Sequence, residues 1–212
     1  MNRKGLYLVI SLKQEQVQML NALEKALREG LAAVQVYAGG LDDMPERAQL
    51  LLCRKITDLC AKYNTPSFIN NDWELLTKVP FDGVHFDSIP TNWLTLRAEI
   101  KRPFFTGVTL TNDISLLPEV KKADIDYLSF CAMFPSSSVT ECEIVHTDTV
   151  KKTLNLVDIP VFLSGGITPE NTTTFNQLNI SGVAVISGVM NADDPAKAVR
   201  EYKAALSKFI EL

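Results

Sequence analysis

Two hydrophobic rhythms alternate along the chain. Gly5-Leu6-Tyr7-Leu8-Val9-Ile10 is a short, nearly unbroken apolar run, the pattern of a parallel strand buried on both faces. The segment from Gln14 to Arg28 then spaces Val17, Leu20, Leu23 and Leu27 along one stripe, which predicts an amphipathic helix with Gly30 as its stop. Ala33–Tyr37 returns to a strand, and the stretch from about Pro45 to Tyr63 returns to a helix.

The alternation continues to the end. Strands are predicted at Ser67–Asn70, Gly83–Phe86, Phe104–Thr109, Tyr127–Phe130, Val161–Ser164 and Gly182–Ile186. Helices are predicted at Asn92–Ile100, Ile114–Lys122, Thr147–Leu154 and Pro169–Leu178, with room for a single helical turn after the third strand. The last helix opens on Asp194 as N-cap with Pro195 at N1, and carries Ala198, Tyr202, Ala205 and Phe209 on one face. Eight strands alternating with helices imply parallel βαβ units, so the expected fold is α/β, a single (β/α)8 TIM-barrel domain over residues 1–212. An open, doubly wound sheet is the rival, but no G-x-G-x-x-G follows the first strand.

Composition narrows the function classes. Hydrophobic residues make up 46% of 212, enough for one sizeable core, and a net charge of −4 argues against wholesale nucleic-acid binding. No apolar run reaches membrane-spanning length, and Met1-Asn2-Arg3-Lys4 enters a strand without a signal-peptide core. Cys53, Cys60, Cys131 and Cys142 form no C-x-x-C pair, and His85 and His146 are the only histidines, so a histidine metal site is not expected. The expectation is a cytoplasmic protein without membrane or nucleic-acid partners; its oligomeric state, a homo-oligomer included, is left open.

Candidate chemistry belongs at the C-terminal ends of the strands, where barrels of this kind carry their sites. Ser164-Gly165-Gly166-Ile167-Thr168-Pro169 is a strand end, a double glycine and a capped helix start, suited to bringing backbone N–H groups close to an anion. Ile186-Ser187-Gly188 repeats the device after the eighth strand and adds a hydroxyl. A tight turn alone would also use Gly165-Gly166; the pair of turns on consecutive strands favours a phosphate. Ser136, Ser137, Ser138 and Thr140 after the sixth strand offer further hydroxyls, or a plain serine-rich loop. Asn70-Asn71-Asp72, together with Asp87 after the fourth strand, reads either as Mg²⁺ and heterocycle ligands or as a helix cap. His85, within a strand, reads more readily as a hydrogen-bonded core residue than as a catalyst.

These segments resemble, in order and over almost the whole chain, the thiamine-phosphate synthases and their thiazole-tautomerase relatives. Leu6-Tyr7-Leu8-Val9, Val34-Gln35, Asn70, Asp82-Gly83-Val84-His85, Gly107-Val108-Thr109, Asp126-Tyr127, Phe134-Pro135-Ser136-Ser137-Ser138, Gly165-Gly166-Ile167 and Ala184-Val185-Ile186-Ser187 carry the likeness. The resemblance implies a Mg²⁺-dependent transferase that joins hydroxymethylpyrimidine diphosphate to thiazole phosphate, a small phosphorylated heterocyclic substrate. By the same resemblance Gln35, Asn70 and Thr109 contact the pyrimidine and diphosphate. Ser136, Ser138, Gly165, Gly166, Ile186, Ser187 and Gly188 hold the thiazole phosphate, and Asn70, Thr109 and Ser138 act in catalysis; the aspartate that follows the family's asparagine is Asn71 here, so Asp72 and Asp87 are the carboxylates left to carry the metal.

The chain also departs from the family pattern. The family's Arg-x-Lys after strand two is Tyr37-Ala38-Gly39 here, its metal aspartate after strand four falls at Pro90, and its lysine after strand six falls at Val139. A single transition-state donor is worth roughly 3–4 kcal/mol, so these losses bear on diphosphate chemistry. An isomerase like the thiazole tautomerases, with His85, His146 or Glu141 as proton carrier, and a non-catalytic phospholigand barrel are the alternatives.

Overall fold

The computed structural model describes residues 4–12, 15–37, 39, 44–135 and 143–212. Its eight strands are β1 (Gly5–Ser11), β2 (Ala33–Tyr37), β3 (Ser67–Asn70), β4 (Gly83–Phe86), β5 (Phe105–Leu110), β6 (Tyr127–Phe130), β7 (Val161–Ser164) and β8 (Gly182–Val185). All pair in parallel with their sequence neighbours, and β8 returns to β1, closing the barrel. The chain is therefore a (β/α)8 barrel, as the alternation predicts. Around it lie α1 (Gln16–Arg28), α2 (Glu46–Lys62), α3 (Leu75–Lys78), α4 (Trp93–Glu99), α5 (Leu117–Lys122), α6 (Thr147–Leu154), α7 (Ser187–Met190) and α8 (Pro195–Leu206).

Two apolar clusters follow from the strand pleat, which sends alternate side chains to opposite faces. The larger lies between strands and helices and takes Leu6, Leu8 and Ile10 of β1 with Met19, Leu23 and Leu27 of α1. The smaller fills the barrel interior with Tyr7, Phe68, Tyr127, Phe162 and Ala184. Their rings interlock, with Phe68 and Tyr127 edge to face at 5.3 Å and Tyr7 and Phe162 tilted at 5.4 Å between centroids. The lower barrel is therefore closed by aromatic packing, which leaves the C-terminal end as the mouth.

Three local expectations change. The buried stripe of α1 is Met19, Leu23, Ala26 and Leu27, while Val17 is 63% exposed. Val17 lies in the first turn, where the Glu15 side chain caps the helix by accepting from the Val17 and Gln18 amides. The helix expected over Pro169–Leu178 is instead a 3-10 segment, Asn171–Phe175. Its threonines bond back to the backbone, Thr172 to the Pro169 carbonyl at 2.8 Å and Thr173 to that of Glu170 at 3.3 Å, in competition with α-helical pairing. Finally, α7 is a single helical turn directly after β8 that the glycine-bearing pattern there did not announce. No helix among the described residues is long and apolar enough to cross a membrane.

Candidate active site

The two glycine-bearing turns leave adjacent parallel strands at the same height. Ser164 of β7 pairs with Ala184 of β8, so Gly165-Gly166-Ile167 and Ile186-Ser187-Gly188 rise side by side at the mouth. One side chain joins them. The Tyr202 hydroxyl of α8 donates to the Ile167 carbonyl at 2.8 Å, and a Cβ added at Gly188 would stand 2.2 Å from that same oxygen. Residue 188 is glycine because the phenol occupies the space a side chain would need. Burial, with a smaller contribution from Glu170, pushes the Tyr202 hydroxyl up to about 12, so it stays a donor across the neutral range.

The first turn is also fixed from its other side. Met133 and Phe134 donate their amides to the Ser164 and Gly165 carbonyls at 2.8 and 3.0 Å. Thr168 and Asn171 cap each other, the Asn171 side chain accepting from the Thr168 amide at 2.9 Å and donating to the Gly166 carbonyl at 2.9 Å. Ser187 and Gly188 are exposed and Ile186 is half-buried. The Ser187 and Gly188 amides open α7, where helix geometry supplies no intrahelical acceptor. Replacing Tyr202 with phenylalanine is expected to weaken binding of a phosphorylated ligand about fivefold at unchanged fold, the effect of losing roughly 1 kcal/mol of pre-organisation. Calorimetric titration with thiazole phosphate checks this, and an unaltered affinity would refute the bridge.

Across the mouth lies a polar wall of interior side chains. Asn70 donates to the Asp87 carboxylate at 3.3 Å and accepts from Gln35, which in turn accepts from the Tyr7 hydroxyl at 3.0 Å. Tyr7 and Tyr127 hydroxyls meet at 2.9 Å, and Tyr127 meets His85 Nδ1 at 3.0 Å. His85 Nε2 lies 2.9 Å from the Thr109 hydroxyl, which lies 2.9 Å from that of Ser129. Gln35, Asn70, His85 and Ser129 are buried, while Thr109 is partly open to the mouth. The predicted trio Gln35, Asn70 and Thr109 thus shares one connected wall.

Asn71 fastens this wall at its rim. It adopts the left-handed conformation at φ 58°, donates to Asp87 Oδ2 at 2.7 Å and accepts from the Asp87 amide at 3.0 Å. Asp72 stands elsewhere in charge terms. It adds to the upward shift of Cys53, whose chief cause is burial, and of Lys78, whose chief cause is Glu46. Among the described residues no group of three or more His, Cys, Asp or Glu side chains gathers as a metal cage. Ser136, Ser138 and Val139 lie outside the described residues, as does Glu141. Tyr37 ends β2, and Pro90 follows β4.

Sequence reasoning missed Tyr7, Tyr127 and Ser129 as parts of the wall, offered Asn71 as a heterocycle ligand or helix cap without its clasp on Asp87, and left His85 as a core residue. His85 is wholly buried with both ring nitrogens engaged, and burial, partly offset by the charge of Asp87, lowers its pKa from 6.5 to about 4. In the unfolded chain the ring takes a proton near its ordinary value, so between about pH 6.5 and 4 the unfolded state holds more protons and stability falls with falling pH. The loss reaches roughly 3 kcal/mol once pH passes below 4. Urea unfolding at pH 7 and pH 5 checks this, a pH-independent midpoint being the contrary result.

A closed parallel barrel with paired glycine turns after its last two strands defines a (β/α)8 protein whose mouth carries those two turns side by side. Comparison with known proteins then gives the family. Residues 6–189 match the family model described as thiamine monophosphate synthase, and the chain belongs to that family. A thiamine-phosphate synthase of Methanobrevibacter smithii is 30% identical over 211 residues, covering 94% of this chain and 96% of that one. One from Thermoplasma acidophilum is also 30% identical over 211 residues, with 98% and 94% covered. Among solved structures, a thiamine phosphate pyrophosphorylase from Pyrococcus furiosus superposes with a TM-score of 0.83 at 25% identity, covering 99% and 98% of the two chains.

Proposed function

We propose that this protein is a thiamine-phosphate synthase, joining hydroxymethylpyrimidine diphosphate to thiazole phosphate in thiamine biosynthesis. The carrying observation is the pair of adjacent turns, Gly165–Ile167 and Ile186–Gly188, bridged by Tyr202 and facing the amide-bearing wall of Gln35 and Asn70. The turns supply backbone N–H groups and the Ser187 hydroxyl to the thiazole phosphate, with Ser136 and Ser138 assigned to the same group. The wall receives the pyrimidine.

In this reaction a carbon–oxygen bond to diphosphate breaks, the electron pair leaves with the diphosphate, and the thiazole nitrogen forms the new carbon–nitrogen bond. No side chain has to carry a proton between the reacting atoms. That suits a wall whose one histidine is buried and neutral at pH 7. It counts against the tautomerase reading for His85, because an isomerase needs a proton carrier with a pKa near the working pH.

Magnesium is the cofactor the family implies, and Asp72 and Asp87 are the carboxylates this chain offers for it. The donor set does not make a ready-formed site. Asp87 Oδ2 is already taken by the Asn70 and Asn71 amides, and the charge of Asp72 acts at Cys53 and Lys78. Free Cys53 and Cys60, both buried, accord with a reducing cytoplasm.

The test is formation of thiamine phosphate from both substrates, assayed with and without Mg²⁺. Product formation supports the proposal. Tautomerisation of the thiazole without the pyrimidine, or thermal stabilisation by thiazole phosphate with no turnover, replaces it with the isomerase or the non-catalytic barrel.

A further inference from the structure

We infer that Asp87 is a positioning residue whose carboxylate fixes the direction of the hydrogen-bond chain across the barrel, turning Thr109 into an acceptor for a ligand's N–H group. The ligand half of this inference rests on the reading that the wall receives the pyrimidine; the direction of the chain does not.

The argument is one of proton counting. A carboxylate only accepts, so Asn70 must turn its Nδ2 toward Asp87 Oδ2, and its Oδ1 then faces Gln35 Nε2. Gln35 Oε1 is left to accept from Tyr7. The single Tyr7 proton is spent there, so the Tyr7 oxygen takes the proton of Tyr127, and the Tyr127 oxygen takes that of His85 Nδ1. A neutral imidazole carries one N–H, so Nε2 is bare and accepts from a hydroxyl. Thr109 stands at 2.9 Å and Ser129 at 3.4 Å, and Ser129 donates in turn to Thr109. Every step follows from the one before it. The ring is buried and both its nitrogens meet hydroxyls, which is the setting of a neutral imidazole.

The hydroxyl protons of Thr109 and Ser129 are consumed inside the chain. Ser129 is buried and Thr109 is partly open, so a Thr109 lone pair faces the mouth, and this side of the wall accepts from an amino group and does not donate to a phosphate oxygen. Thr109 thereby belongs to ring recognition and not to the diphosphate. Asp87, through Oδ2, acts on Asn70 and Asn71 in place of a metal.

The full chain labelled with ¹⁵N-histidine, without ligand at pH 7, gives the direct test, with His146→Gln to assign the second histidine. The expected spectrum has the proton on Nδ1 of His85 and a bare Nε2. In Asp87→Asn the new amide can donate to Asn70 as well as accept from it, so both directions open and the Nε2 resonance shifts toward its protonated position. A wild-type proton on Nε2, or a variant spectrum identical to wild type, overturns the inference; the wild-type spectrum decides the direction even if the variant fails to fold. For the ligand half, 4-aminopyrimidine is expected to bind wild type about tenfold more tightly than 4-pyrimidinone, and Asp87→Asn to erase most of that difference. Equal affinities in wild type overturn the recognition claim. The tautomer is read without turnover, so it fails independently of the synthase assay.

Discussion

Replacing Gly166 by valine is expected to abolish measurable binding of thiazole phosphate and to lower stability by about 2–5 kcal/mol. The backbone there has φ 66°, and an added Cβ would meet the Pro135 carbonyl oxygen at 2.6 Å and the Phe134 Cβ at 2.8 Å. The left-handed conformation costs an L-residue roughly 1–2 kcal/mol, and overpacking adds about 1–3 kcal/mol. Neither neighbour is the loose end of a long side chain, so the turn must move. Its amides then leave the position shared with Ser187. Hydrogen bonds to a charged group contribute about 1.5–3 kcal/mol each, so losing two weakens binding at least about 100-fold. Titration calorimetry and urea unfolding of the variant read both effects. Wild-type affinity in a folded variant would show that the phosphate does not sit at this turn.

Tyr127→Phe is expected to cost roughly 2–4 kcal/mol, although it removes one oxygen and opens no cavity. The ring would keep its contacts with Phe68, Phe162 and His85. The Tyr7 oxygen loses its donor and His85 Nδ1 its acceptor, and both groups are fully buried. Each buried polar group left unsatisfied costs about 1–3 kcal/mol. In urea the midpoint should fall while the slope stays constant, because the surface exposed on unfolding does not change. A loss below about 0.5 kcal/mol would mean that the hydroxyls find other partners, and the chain of hydrogen bonds would lose its centre.

The barrel was legible in the sequence because eight apolar runs alternate with helical stripes, and each run forms a strand within a residue of its expected bounds. The interior was less legible. In β1 both faces are apolar, so Leu6, Tyr7, Leu8 and Val9 carry no alternation to tell which residue points inward. Only the pairing of Tyr7 with Ala33 and Ala184 across neighbouring strands puts it on the axis beside Tyr127. The same holds for Ser129, whose partner Thr109 is adjacent across the sheet and twenty positions away in the chain. Gln35 was placed by the family resemblance, and Asn70 by that resemblance and by the amide-rich end of its strand. Their partner Asp87 was expected as a metal ligand, and its hydrogen bonds to Asn70 and Asn71 through Oδ2 were not legible, because they join residues sixteen and seventeen positions apart.

Asn71 shows the same limit at the rim. Its sequence context allows a helix cap, yet the chain turns left-handed there and the side chain clasps Asp87 on the next strand's loop. Asparagine tolerates that conformation better than most residues, a local fact, but the choice of clasp over cap depends on a neighbour sixteen positions on. Tyr202 is a further case: its place on an apolar helix stripe was expected, its role in tying Ile167 to Gly188 was not.

The account turns on backbone amides from two neighbouring turns meeting at one anion. The most direct measurement follows the ¹H–¹⁵N amide resonances of Gly165, Gly166, Ser187 and Gly188 while thiazole phosphate is added. Both turns are expected to shift together, along a single saturation curve with one dissociation constant. Movement confined to one turn, or saturation at two separate concentrations, would contradict it.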